Sequence, residues 1–195
     1  MKKAERTRQL IIEKAAPIIN QKGMAGTAIS DIMKATKLAK GGIYGNFEDK
    51  DEICREVFSY LFKGLTAKID NALINKRTAK EKLFALLDYH CDHLALSEVG
   101  GCPMLNFGAE ADDNDVIIKK QVNDAIRASQ FRISELVEDG MKAGEFNITT
   151  SAQEFGIKAF AVMEGGILIS RIQGNNQQMK IIIDALKIEI IQFSN

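Results

Sequence analysis

The sequence of 195 residues has no tryptophan and only two prolines and three cysteines. Scarce proline leaves few interruptions for helices, and abundant Ala, Ile, Lys and Glu favour helix over a sheet built on many turns. The cysteines, Cys54, Cys91 and Cys102, are odd in number and irregular in spacing, which excludes a disulfide framework and fits a reducing compartment. We therefore expect an all-α fold with free thiols.

Long apolar runs are also missing. No stretch approaches the roughly 20 apolar residues that a membrane span needs. The first residues, MKKAERTRQLIIEKAAPII, carry charges at helical spacing where a signal peptide would have an uninterrupted apolar core. These absences predict a cytoplasmic protein without a membrane partner.

Net charge is absent too, but the zero total hides an asymmetry. The first 47 residues carry nine Lys and Arg against three Asp and Glu, a net charge of +6. The remainder of the chain must then carry an equal negative charge. A small basic head on an acidic body indicates that a polyanion binds the head alone.

Apolar residues recur at helical spacing along most of the chain. Residues 3–22 form one amphipathic stripe that stops at Gly23, and Thr27 is expected to cap the second helix. A turn at Lys37 and Leu38 leads into a very short third helix at about 39–47. Further helices are predicted at about 49–75, 78–98, 102–111, 114–144, 150–174 and 176–193. About nine helices result, with a three-helix helix-turn-helix domain at 1–48 and a larger helical domain at 49–195.

The segment TAISDIMKATKLAKGGIYGNFEDKDEI resembles the N-terminal DNA-binding segment of the TetR family of bacterial transcriptional regulators. The resemblance covers about residues 5–60 and includes a Thr-capped helix, a turn and a short recognition helix ending in Tyr-x-x-Phe. It implies a DNA-binding head followed by an all-α domain that binds a ligand and dimerises. Two positions depart from the family pattern, since Lys37 replaces a frequent Gly and Ala39 a frequent Ser or Thr.

Recognition of DNA explains why glycines stand in so short a helix. Gly41 and Gly42 let the backbone approach phosphates or base edges in a major groove about 12 Å wide. Lys40 can reach a phosphate or a guanine edge, Tyr44 can donate to a phosphate, and Asn46 can pair with adenine. The predicted DNA-binding residues are Thr27, Lys40, Gly41, Gly42, Tyr44, Asn46 and Lys50.

Several of these residues also have a purely structural explanation. Tyr44 could be a core aromatic, Asn46 a C-cap of the short helix, and the two glycines an ordinary loop. Ile43 and Phe47 are expected to point into the small core and hold the helix. The positive charge of the head favours the DNA-binding interpretation.

The larger domain is expected to hold a pocket for an effector that the sequence does not identify. Its candidate lining residues are the aromatic, His and Met side chains Phe62, Phe84, Tyr89, His93, Met104, Phe107, Phe131 and Met163. Side chains of this kind at helical spacing also form plain core. Dimerisation is assigned to the last two helices, where Gly165 and Gly166 would allow close approach across a two-fold axis. The alternative is that these helices cover the monomer's own core.

Cys102 is a candidate thiol sensor of oxidants or electrophiles. Pro103 resembles a first-turn proline, which places the thiol at a helix N-terminus, and Gly100 and Gly101 would leave its sulfur accessible. GGCPMLNFGAEADD, residues 100–113, is also similar to a Gly-Cys-containing stretch in one branch of the family. The alternative is a small buried residue at a tight corner.

No metal or other cofactor is predicted. His90 and His93, with Cys91 and Asp88, lack an evident fourth ligand, and neither His has a Ser or Cys partner at a recognisable catalytic spacing. We therefore expect no enzyme. The favoured function is a ligand-responsive regulator, a repressor that binds a palindromic double-stranded DNA operator as a homodimer. The alternatives are a ligand-independent architectural DNA-binding protein and a helical small-molecule- or metal-binding protein with a vestigial head.

Overall fold

The computed structural model describes residues 3–97, 99–149 and 151–195, which fold into nine α-helices. The bounds are α1 (Lys3–Lys22), α2 (Ile29–Thr36), α3 (Lys40–Tyr44), α4 (Lys50–Leu73), α5 (Ala79–Tyr89), α6 (Pro103–Asn114), α7 (Val116–Lys142), α8 (Ala152–Gln173) and α9 (Gln177–Gln192). The all-α class and the helix number are thus confirmed. The predicted helix at 78–98 ends on residue 98, and the predicted helix at 150–174 begins on residue 150. Both of these residues lie outside the described ranges.

Local signals explain several helix ends. The Thr78 hydroxyl accepts the Glu81 amide at 3.1 Å before α5, and the Ser151 hydroxyl accepts the Glu154 amide at 3.0 Å before α8. In both caps the glutamate accepts a hydrogen bond from the capping residue's own amide. At its other end α8 stops at Gly174, which adopts the left-handed conformation with φ of 69°.

Two predicted details of the helices are wrong. Ala28, not Thr27, occupies the N-cap position of α2, and its amide donates to the Asp31 carboxylate at 3.2 Å. The α-helix expected to continue from 78 to 98 ends at Tyr89 and passes into a π-helical turn, His90–Leu94. The turn, HCDHL, contains neither Gly nor Pro, so the sequence carries no helix-breaking signal for that change.

The first compact unit runs up to Leu65 and also includes Pro103–Asn123. It therefore contains α1, α2, α3, the first part of α4, α6 and the start of α7. Its core is built from aliphatic residues of these helices around the Phe58 and Phe107 rings, whose centroids are 5.4 Å apart. This unit is where the charged head lies.

The second compact unit comprises Thr66–Cys102 and Asp124–Asn195. Its core includes Leu83, Ile133, Met163 and Ile183, and the Phe146 and Phe155 rings pack edge-on against Phe193 at 5.1 and 5.5 Å. Each unit is thus made of two sequence segments, and a functional boundary near residue 48 stays a prediction. None of the helices in the described part of the chain combines the length and apolarity that crossing a membrane requires.

Candidate DNA-binding surface

Helix α3 has one buried and one exposed side. Ile43 and Phe47 are buried, which confirms that they anchor the helix in the small core. Lys40, Gly41 and Tyr44 are exposed on the other side. The buried side therefore fixes α3 to the core. The exposed side presents the Lys40 amine, the Gly41 backbone and the Tyr44 phenol to solvent.

The two glycines differ in what surrounds them. A Cβ added at Gly41 would meet no atom within 4 Å, whereas one at Gly42 would make an ordinary contact of 3.4 Å with Leu38. Neither glycine has a positive φ, so the backbone conformation does not demand glycine at these positions. The structural packing thus gives no reason for glycine at 41, and close approach of a partner remains the reason predicted for it.

Positive charge is spread along α2 and α3. Lys34, Lys37 and Lys40 follow one another at intervals of three and are all exposed. The Lys40 ammonium lies 5.8 Å from the centroid of the Tyr44 ring. Lys37 ends α2 with φ of 59°, the left-handed conformation that the family pattern assigns to glycine.

Arg8 supports this surface from α1, a role that was not predicted from the sequence. Its guanidinium donates to the Asn46 carbonyl at 2.6 Å and to the Glu52 and Glu56 carboxylates at 2.6 and 2.9 Å. The same group lies 4.2 Å from the Phe47 ring centroid. The Glu48 amide and the Arg8 guanidinium lower the pKa of Glu52. The available signal was the i, i+4 spacing of the two glutamates, which puts both on one face of α4.

Asn46 already has a partner within the chain. Its side-chain amide donates to the Gly42 carbonyl at 2.9 Å, the capping arrangement that was the structural alternative. The side-chain carbonyl oxygen and the second hydrogen of that amide are the groups left to meet DNA. Adenine recognition by Asn46 stays a prediction.

Lys50 and Thr27 are also engaged internally. The Lys50 ammonium donates to the carbonyls of Met24 and Thr27 at 2.8 and 3.1 Å, and the buried Thr27 hydroxyl donates to the Gly23 carbonyl at 2.7 Å. In this structure both residues therefore hold the turn between α1 and α2. Direct contact of either residue with a DNA phosphate stays a prediction.

The predicted pocket residues are divided between the two compact units. Phe62, Met104 and Phe107 belong to the first unit, while Phe84, Tyr89, His93, Phe131 and Met163 belong to the second. Met104, Phe107 and Met163 are buried core, whereas His93 and Phe131 are exposed. A role of these residues in effector binding stays a prediction.

Phe131 lines an open groove of about 530 Å³ in the second unit. The groove lies between α7 and α8, and its other lining residues are Arg127, Ala128, Gln130, Ser134, Glu138, Gln153 and Ile157. Gly156 lets the two helices approach there, because a Cβ would overlap the Ser134 hydroxyl. The groove is open to solvent, unlike an enclosed effector pocket.

Cys102 directly precedes α6, as predicted, but its sulfur is not accessible. The residue is fully buried, and the thiol donates to Oε1 of Glu164 at 3.1 Å. The expectation that Gly100 and Gly101 expose the sulfur is wrong, since Cys102 has no exposed surface and the Arg171 side chain lies against Gly101. Cys54 and Cys91 are buried as well, and burial raises the pKa of Cys54 to about 11.

Gly165 and Gly166 face opposite ways. A Cβ at Gly166 would overlap Met179 and crowd Ile182, so this glycine lets α8 and α9 of one chain approach each other. Contact of Gly166 across a two-fold axis stays a prediction. Gly165 is exposed, and a Cβ added there would meet no atom within 4 Å, so it remains a candidate for contact with a second chain.

The comparisons with known proteins agree along the whole chain. Residues 11–57 match the profile described as bacterial regulatory proteins, tetR family, and residues 79–186 match a tetracyclin repressor-like C-terminal domain. The chain is also similar to the transcriptional repressor DhaR of Mycobacterium sp. (strain GP1). The two are 22% identical over 184 residues, which cover 88% of this chain and 86% of DhaR.

Two solved structures share the fold over the full length. A TetR-family transcriptional regulator from Cytophaga hutchinsonii superimposes with a TM-score of 0.93 at 33% identity, covering 100% of this chain and 98% of that one. A TetR transcriptional regulator from Chloroflexus aurantiacus J-10-FL gives a TM-score of 0.93 at 32% identity, with the same coverage. Residues 27–50 of the surface described above lie within the segment 11–57 that matches the tetR-family profile.

Proposed function

Because the chain belongs to the TetR family of transcriptional regulators, it is a helix-turn-helix DNA-binding protein, and we propose that it is a ligand-responsive repressor. In this proposal it binds a palindromic operator as a homodimer in the cytoplasm, and an unidentified small molecule releases it. The family consists of transcriptional regulators, and we assign the chain no catalytic role.

The exposed side of α3 is the observation that carries the DNA-binding part of the proposal. Lys40 and Tyr44 offer hydrogen-bond donors for phosphates. Gly41 has no side chain that would separate its backbone from DNA. The half-buried Arg8, which binds the Asn46 carbonyl, and the buried Ile43 hold this side in place. A recognition helix needs that rigidity, because a small displacement breaks its contacts with base edges in the major groove.

Exposed apolar residues on α8 and α9 support the homodimer. On α8 they recur at intervals of three and four as Ile157, Ala161, Gly165, Leu168 and Ile172, and on α9 as Ile181, Ala185 and Ile188. An apolar stripe of this length on two adjacent helices is typical of an interface. An isologous contact would bury both stripes and place two heads for two half-sites.

The test is selection of genomic DNA fragments by the wild-type protein, repeated with pools of candidate metabolites. We expect one palindromic sequence to be enriched, and its enrichment to disappear with the effector. Gly41→Ala is the matched control, because its Cβ meets nothing within the protein yet would stand between the backbone and DNA. Enrichment unaffected by every metabolite would favour the ligand-independent architectural alternative, and no enrichment at all would contradict DNA binding.

A further inference from the structure

We propose that Glu110, on α6, is a positioning residue for DNA binding that holds the turn between α1 and α2. This inference rests on the DNA-binding function. Oε1 of Glu110 accepts the Met24 amide and Oε2 accepts the Ala25 amide, each at 2.8 Å. One carboxylate therefore fixes two successive peptide groups that lie 85 or more residues away in sequence.

The turn is shaped to admit this carboxylate. Gly23 has φ of 81°, and a Cβ at this position would overlap the Glu110 carboxylate. Its amide still donates to the Ile19 carbonyl at 2.9 Å and so ends α1. Glycine is therefore needed at 23 both for the left-handed conformation and for the approach of Glu110.

Lys50 binds carbonyl groups of the same turn whose amides bind Glu110. Met24 donates its amide to Glu110, while its carbonyl accepts the Lys50 ammonium at 2.8 Å. Lys50 also binds the carbonyl of Thr27, the residue just before the N-cap of α2. Thus the peptide groups that lead into the helix-turn-helix lie between an anionic acceptor and a cationic donor, and hydrogen bonds to charged groups are the stronger kind.

A second contact from α6 fixes the preceding residues. The side-chain amide of Asn106, one turn before Glu110, donates to the main-chain and side-chain oxygens of Asn20 at 2.9 and 3.0 Å. Helix α6 therefore sets both the end of α1 and the path from α1 to α2. A change in that path would rotate α2 and, through the tight turn at Lys37, the recognition helix α3.

The chain offers a matched control for the hydrogen-bonding geometry. Oε1 and Oε2 of Glu145 accept the amides of Ala79 and Lys80 at 3.1 and 3.2 Å, the same two-amide arrangement at the start of α5. Glu145 lies in the second compact unit, away from the charged head in sequence. Glu145→Gln therefore reports what the loss of a purely structural carboxylate does.

A second control separates positioning from charge. Removing any carboxylate near a DNA-binding surface should tighten binding to all DNA, because it removes repulsion of phosphates. Asp113→Asn makes the same charge change on α6 at an exposed side chain. Loss of positioning should instead weaken DNA binding, so one titration of the protein against DNA distinguishes the two effects.

The experiment measures binding to two duplexes, the sequence selected by the wild-type protein and a shuffled duplex of the same composition. We expect Glu110→Ala to bind the selected duplex about tenfold more weakly while binding the shuffled duplex as well as or better than wild type. Glu110→Gln should lie between, since its carbonyl oxygen can still accept one amide. Asp113→Asn and Glu145→Gln should keep the wild-type ratio of the two affinities.

Hydrogen exchange supplies a readout at the site itself. In Glu110→Ala the Met24 and Ala25 amides should exchange much faster than in wild type, while amides of α4 keep their protection. Wild-type affinity for the selected duplex in Glu110→Ala would overturn the positioning role, and so would unchanged protection of the two amides. If the wild-type protein selects no duplex, the DNA-binding function fails first, which is a different outcome from a variant that binds normally.

Discussion

Cys102 donates its thiol hydrogen to a carboxyl group, Glu164, that is itself buried on α8. The second oxygen of that carboxyl, Oε2, has no hydrogen-bond partner among the described residues. Burial raises the pKa of Glu164 to about 7, and the hydrogen bond from Cys102 opposes that rise only in part. Cys102, the residue just before α6, is thus hydrogen-bonded to a carboxyl group that titrates near neutral pH.

This pKa makes the stability of the fold depend on pH. The folded-state pKa, about 7, is higher than the ordinary 4.5, so the folded protein binds the proton more tightly than the unfolded chain. The stabilisation is complete below pH 4.5 and is lost as pH rises toward 7. Glu164→Gln should remove this slope and be more stable than wild type above pH 7, by about 3 kcal/mol.

Urea unfolding of both proteins at several pH values, at one protein concentration, measures the difference. Glu135→Gln, at an exposed side chain of α7, is the control for removing a carboxyl. A wild-type and Glu164→Gln difference that does not change between pH 5 and 8 would contradict the raised pKa.

The burial of Cys102 determines its reactivity. We expect an alkylating reagent to modify Cys102 slowly in the native protein, at a rate limited by opening of the structure, and rapidly in denaturant. Mass spectrometry of the adducts over time, with and without urea, makes the measurement. Fast native modification of Cys102 together with DNA release, both abolished by Cys102→Ser, would restore the sensor hypothesis and show that the segment opens readily.

The left-handed residue at the end of α2 predicts an easy gain in stability. Lys37 has φ of 59°, which costs a residue with a side chain about 1–2 kcal/mol relative to glycine. Lys37→Gly should therefore raise the free energy of unfolding by about 0.5–1 kcal/mol, even after the greater freedom of glycine in the unfolded chain. Lys34→Gly, inside the same helix, should instead lower it by about 1 kcal/mol. Equal losses from both would contradict the conformational explanation.

The sequence was sufficient for features that depend on local signals. Periodic apolar residues defined α1 and α4, and Ile43 and Phe47 could be assigned to the core from their spacing around α3. The internal bonds of Lys50 could not be predicted, because its partner Met24 is 26 residues away and contributes a backbone carbonyl that has no side-chain signature. The same holds for Cys102, whose hydrogen-bond partner Glu164 lies 62 residues further along the chain.

Tyr44 allows a direct test of phosphate contact. Tyr44→Phe should weaken binding to the selected and the shuffled duplex by a similar factor, because a phosphate contact carries no base information. Tyr60→Phe is the matched control, since Tyr60 is 40% exposed and Tyr44 39%, and it should leave both affinities unchanged. A loss restricted to the selected duplex would mean that the Tyr44 hydroxyl contacts a base.

The exposed face of α9 allows the homodimer to be tested with a matched pair of substitutions. Ile188 on α9 is 55% exposed and Ile117 on α7 is 56% exposed, so replacing either with Lys costs the isolated chain little. In the proposed dimer Ile188 becomes buried, and an unpaired ammonium there would oppose association strongly. Sedimentation should therefore give a monomer for Ile188→Lys and a dimer for Ile117→Lys, with only the first losing affinity for a palindromic duplex. Dimers from both variants would place the interface away from α9, and a dimer lost only in Ile117→Lys would place it near the start of α7.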